Sequence, residues 1–134
     1  MGKVNEETAL GEVTAWLDKK KIFESSRDSQ KESVDILVEA VMNGTLEYHA
    51  DENEWTQNIL VPNAEANTPV LQLRYRSRLN DNILRPYLKG VDSKDGDARL
   101  TAILAALTST PKGIISALDS IDKKIGMSIA IFFL

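Results

Sequence analysis

The chain has 134 residues, 43% hydrophobic and 27% charged, with a formal net charge of −4. That is the length and composition of one globular domain, able to bury a core without covalent or metal staples. The absence of cysteine excludes a disulfide framework, a thiol nucleophile and cysteine-ligated zinc or iron–sulfur sites, and a single histidine, His49, excludes a centre built on two or three histidines of one chain.

The charge is unevenly placed. Residues 1–68 carry six basic and fourteen acidic side chains, and residues 69–134 carry ten and six. Either the halves pack together and their fields cancel, or one of them faces a charged partner. The first ten residues are polar and acidic, without the apolar stretch of a secretory signal. The longest apolar run, Ile129 to Leu134, is too short to span a bilayer. A cytoplasmic location and no membrane contact are expected.

In chain order, Leu10, Val13 and Leu17 with Trp16 predict a helix over 6–19, with Glu6 and Glu7 in its first turn and Lys19-Lys20-Lys21 at its negative end. Residues 24–28 read as a loop. Ser29 to Glu32 forms a capping-box pattern opening a helix whose stripe is Val34, Leu37, Val38 and Val41, ended by Gly44. Leu46 to His49 and Glu54 to Val61 are two extended runs around a turn at 50–53, hence a hairpin. Pro62 to Pro69 is a polar connection. A third extended run, Val70 to Arg78, alternates Leu71, Leu73 and Tyr75 with Gln72, Arg74, Arg76 and Arg78.

Asn80 caps a segment through Leu88 that Pro86 keeps short. After a loop over 90–96, Asp95 or Asp97 caps a helix with Leu100, Ile103, Leu104 and Leu107 on one face. Thr110-Pro111 reads as a cap followed by proline at the first helical position, opening a short helix with Ile114, Ile115 and Leu118. Ser120 or Asp119 caps a last helix, with Asp122 in its first turn and Ile121, Ile125, Ile129 and Phe132 as its core stripe. The fold class is α+β, a small antiparallel sheet of about three strands packed with helices. Residues 1–44 are a helical segment, part of the same domain or an arm, and residues 45–134 are the α+β core with C-terminal helices.

Few side chains suggest chemistry. Asp92 to Asp97 fails the spacing of a calcium loop, since Ala102 stands where its bidentate Glu belongs. His49 near Asp51 and Glu52 reads as a polar strand end. No phosphate loop or nucleophile elbow occurs. No catalytic residue, cofactor or metal is expected. Arg74, Arg76 and Arg78 are the notable polar feature. Alternation puts them on one sheet face, where they suit a solvated surface, a protein partner or, less well for want of interleaved aromatics, single-stranded nucleic acid.

The segments Ala102 to Pro111, Leu118 to Asp122 and Ile129 to Leu134 together resemble the tail assembly chaperones of long-tailed, Mu-like bacteriophages. That family runs from a helix ending in Leu-Thr-Gly and a nearby proline, through Leu-Asp-x-x-Asp, to a final helix ending in Phe-Leu. Ser109 stands here at the glycine. The resemblance covers roughly residues 60–134. It implies a phage or prophage protein that is not an enzyme and that binds the tape measure protein while the tail tube is assembled. On that reading function lies in surfaces. Arg74, Arg76, Arg78, Ile131, Phe133 and Leu134 are the candidate partner-binding residues, for a tail protein or a second copy of the chain. A nucleic-acid-binding module using the basic strand face is the alternative.

Overall fold

The computed structural model describes residues 3–134. The first helix, α1 (Glu6–Lys19), begins where the Asn5 side chain accepts from the Thr8 N–H at 2.8 Å. Its buried residues are Ala9, Val13, Trp16 and Leu17, so Val13, Trp16 and Leu17 lie inside as expected and Leu10 does not. Small Ala9 faces inward and Leu10 is exposed. The helix ends in a Schellman motif, in which Lys21 N–H donates to the Asp18 carbonyl and Ile22 N–H to that of Leu17, both at 3.1 Å. Lys21 takes the left-handed position with φ 65°.

Residues expected to be a loop form α2 (Glu24–Ser29), tied back by an ion pair of 2.8 Å from Arg27 to Asp18. The capping box expected at Ser29 does not form, because the Ser29 hydroxyl donates to the Ser26 carbonyl and Gln30 occupies the cap position of α3 (Lys31–Met42). In α3, Leu37, Ala40 and Val41 are buried, with Val34 and Val38 half-buried beside them. Gly44, at φ 82°, supplies the left-handed turn that releases the chain into the sheet.

The sheet is antiparallel, in the order β1 (Leu46–His49), β2 (Glu54–Asn58), β3 (Gln72–Tyr75). The register pairs Trp55 with both Tyr48 and Tyr75, and Gln57 with both Leu46 and Leu73. These residues share the inner face. The strands are shorter than the extended runs that announce them. Leu71, expected inside, lies beyond β3 and is 62% exposed. Arg76 and Arg78 also lie outside the strand, so the three arginines do not share a sheet face.

Asn80 caps α4 (Asp81–Leu84) through its side chain, and a 3₁₀ turn over Arg85–Leu88 absorbs Pro86. Asp95 caps α5 (Gly96–Thr108). Every residue from Thr101 to Leu107 is buried, which makes α5 the central helix rather than one with a single apolar stripe. It ends in a second Schellman motif, with Ser109 left-handed at φ 52° and Thr110 N–H on the Ala105 carbonyl at 3.0 Å. Thr110 is therefore engaged in closing α5, its hydroxyl on the Thr108 carbonyl, and does not cap α6 (Lys112–Ser116), whose cap position is Pro111.

Asp119 caps α7 (Ser120–Ala130) through its side chain, and a 3₁₀ turn, Ile131–Phe133, follows. Asp122, Ile125, Gly126 and Ile129 face inward and Ile121 is exposed. Ile125, Ile129 and Phe132 of the expected stripe are thus buried, and only its first member, Ile121, is not. Gly126 permits this approach: a Cβ there would lie 2.9 Å from Tyr75 Oη and 3.0 Å from both Leu104 methyls. Buried residues from Ala9 to Phe132 form a single cluster, so α1 and α3 contribute to the same core as the sheet and α5. Trp16 sits at its aromatic centre, edge-on to Trp55 and to Phe132 with ring centroids 5.9 Å away in each case.

Candidate protein-docking surface

The most elaborate polar arrangement in the chain is structural, and it shapes an apolar surface. Asp122 is fully buried in the first turn of α7. Its Oδ1 accepts from the Leu60 N–H at 2.7 Å and its Oδ2 from the Val61 N–H at 2.9 Å. Its backbone carbonyl accepts from Gln57 Nε2 at 2.9 Å, and Gln57 Oε1 accepts from the Tyr75 hydroxyl at 2.5 Å. Burial, reinforced by the negative charge of Asp122, pushes the Tyr75 phenol far above its ordinary range. The phenol stays a donor at every physiological pH. The carboxylate is satisfied by two backbone donors and by the positive end of its own helix.

This clamp fixes the corner where β2 leaves the sheet, and the corner carries two adjacent side chains into solvent. Leu60 and Val61 are 48% and 46% exposed. Val61 borders a groove of about 160 Å³ between the β2–β3 connection and α6, lined also by Ile59, Val70, Ile114 and Leu118. Leu60 borders a second groove, of about 250 Å³, between α3 and α7, with Ile36, Ile121 and Ile125. Of the eight large apolar side chains exposed among the described residues, Leu60, Val61, Ile114 and Ile121 border these two grooves, and Leu71 follows Val70 directly. Clustering of this kind, unlike scattered apolar exposure, marks interaction surfaces.

The residues singled out from the sequence fall elsewhere. Arg74 is exposed on the outer sheet face and paired with Glu54 at 2.7 Å. Arg76 fastens the end of α5: its N–H donates to the Leu107 carbonyl at 3.0 Å, its Nε to that of Ala106 at 3.0 Å and its Nη2 to Ser109 Oγ at 2.6 Å. Arg78 fastens the end of α1, on the carbonyls of Lys19 at 2.9 Å and Lys20 at 3.4 Å. Both guanidinium groups meet the negative end of a helix. The outer sheet face is left with one arginine of the three, already ion-paired, among Glu47, His49, Thr56 and Asn58. That is poor ground for nucleic acid. Ile131 is half-buried, and Phe133 is half-buried beneath Lys20, whose Nζ lies 3.4 Å from the ring centroid. Leu134 alone of this end is well exposed, at 68%.

His49 Nε2 lies 2.7 Å from Thr56 Oγ1. Asp92 and Asp95 each accept a nearby backbone N–H, as a turn and a helix cap. No group of three histidine or carboxylate side chains able to hold a metal ion occurs among the described residues, and no described helix is long and apolar enough to cross a membrane.

Sequence reasoning placed Asp122 in the first turn of α7 and missed its reach to Leu60 and Val61. One signal was available: Gln57 has the inward parity of Trp55 in β2, and a polar residue at an inward position needs a buried partner. No protein-family model, curated protein or solved structure matches this chain.

Proposed function

We propose that this is a non-enzymatic, protein-binding assembly factor of the phage tail chaperone kind. It would act in the host cytoplasm and hold an apolar segment of a tail component such as the tape measure protein. The observation that carries the reading is the groove between the β2–β3 connection and α6, where Val61 and Ile114 are exposed beside Ile59, Val70 and Leu118. A chaperone must present apolar contacts in its free state, and a rigid display loses less entropy on binding than a mobile one. Asp122 supplies that rigidity through its bonds to Leu60 and Val61. The resemblance of residues 102–134 to the tail chaperones points to the class of partner. The fate of the three arginines removes the main support for the nucleic-acid alternative.

The test is co-expression with the proposed partner, a phage tape measure protein. The expected result is that the partner stays soluble and co-purifies with the wild type, and is lost with Val61→Asp or Ile114→Asp while far-UV circular dichroism shows those variants folded. A partner that does not co-purify with the wild type, or that binds the folded variants undiminished, overturns the proposal.

A further inference from the structure

The second groove, between α3 and α7, has a property the first lacks. One wall is α3, with Ile36 and Glu39, and the other is α7, with Ile121, Lys124 and Ile125; Leu60 borders both. Glu39 and Lys124 are exposed, and among the described residues neither is ion-paired. An acid on one wall, a base on the other and apolar groups between them form a surface complementary to its own two-fold image. With the axis running along the groove, the acidic wall of one copy faces the basic wall of the other. A rim of one sign would instead repel its own copy.

We propose that this groove is a homodimer interface, with each Glu39 set against Lys124 of the second copy and Leu60 and Ile121 packed across the axis. Withdrawal of Leu60 and Ile121 from water, each 48% exposed in the single chain, drives association, and the crossed charges set its orientation. Because this groove is distinct from the one bordered by Val61 and Ile114, the dimer stands independently of the tail-protein reading. Either can fail alone.

Analytical ultracentrifugation of the full chain over a concentration series tests it. The wild type is expected to dimerise in the micromolar range. Lys124→Glu and Glu39→Lys, each placing like charges across the axis, are expected to weaken the dimer about tenfold or more. The double variant, which restores opposite charges, is expected to regain most of the loss, and Ile121→Asp to be monomeric. All three positions altered carry exposed side chains, and melting curves check that each variant is folded. A wild type that stays monomeric into the millimolar range, a dimer indifferent to both single charge reversals, or a double variant no tighter than the singles overturns the proposal.

Discussion

The ammonium group of Lys20 lies 3.4 Å from the centroid of the Phe133 ring, and Arg78 donates to the carbonyl of the same lysine at 3.4 Å. The end of α1, the segment after β3 and the C-terminal turn therefore meet at one residue. Trp16 lies beneath, its ring 5.8 Å from the same ammonium and 6.1 Å from Phe133. A cation over an aromatic face is attracted by the ring quadrupole, and more so when partly desolvated.

Burial, with the charge of Arg78 as the second cause, lowers the Lys20 ammonium from 10.5 to about 8. The folded chain gives up this proton before the unfolded chain does. Between about 8 and 10.5 the unfolded chain thus binds more protons, and the contribution of Lys20 to stability rises with pH across that window. Lys20→Met has no such titration. Thermal melts from neutral pH upward are expected to show the wild type gaining several degrees relative to Lys20→Met through this window. A difference independent of pH would mean that the ammonium is not held as described.

Phe132 is buried against Trp16, whereas Phe133 is half-buried beneath Lys20. Phe132→Ala is expected to cost about 3–5 kcal/mol of stability by urea unfolding. Phe133→Ala should cost less, about 1–2 kcal/mol, from the apolar area it half-buries and the lost cation contact. The sequence expectation that Phe133 faces a partner implied almost no change. Equal costs for the two variants would show that Phe133 is as deep in the core as Phe132.

Gly126→Ala would put a methyl carbon 2.9 Å from Tyr75 Oη. The phenol cannot yield without losing its bond to Gln57, so overpacking should destabilise the chain by about 1–3 kcal/mol. Asp122→Asn leaves one oxygen to serve two N–H donors and turns an amide N–H₂ toward the other, at a cost of about 1.5–3 kcal/mol. Denaturant melts measure both. Faster amide exchange at Leu60 and Val61 in Asp122→Asn would localise the damage to the corner.

Two non-glycine residues hold left-handed conformations at helix ends, Lys21 and Ser109. Among the described residues Lys21 has no hydrogen bond that depends on its side chain, so Lys21→Gly should relieve strain and stabilise by about 0.5–1 kcal/mol, net of the added freedom of the unfolded chain. Ser109→Gly relieves similar strain but loses the 2.6 Å bond from Arg76. It is expected to change stability by less than Lys21→Gly, or to lower it. A clear gain at Ser109 and none at Lys21 would contradict this account.

What could be read from the sequence was local. The stripe of α3 and its stop at Gly44, the turn at 50–53, the cap at Asn80, the choice of Asp95 or Asp97 as the cap of α5 and the short helix around Pro86 are each set by atoms within a few residues, so the local sequence contains both donor and acceptor. The α+β class followed from them. The roles of the longer polar side chains did not. Arg74, Arg76 and Arg78 alternate in sequence, yet only Arg74 lies in a strand, because the ends of α1 and α5 present carbonyls that the other two satisfy. Asp122 reaches donors 61 and 62 residues away and takes an inward position beside Ile125 and Ile129, which are buried as their stripe predicts, while Ile121 lies at the surface. The two grooves exist only because α3, α6 and α7 are brought beside the β2–β3 corner. Local hydrogen-bonding rules settled where most elements begin and end; which face of each is covered depended on partners far along the chain, and only the tertiary structure supplied those.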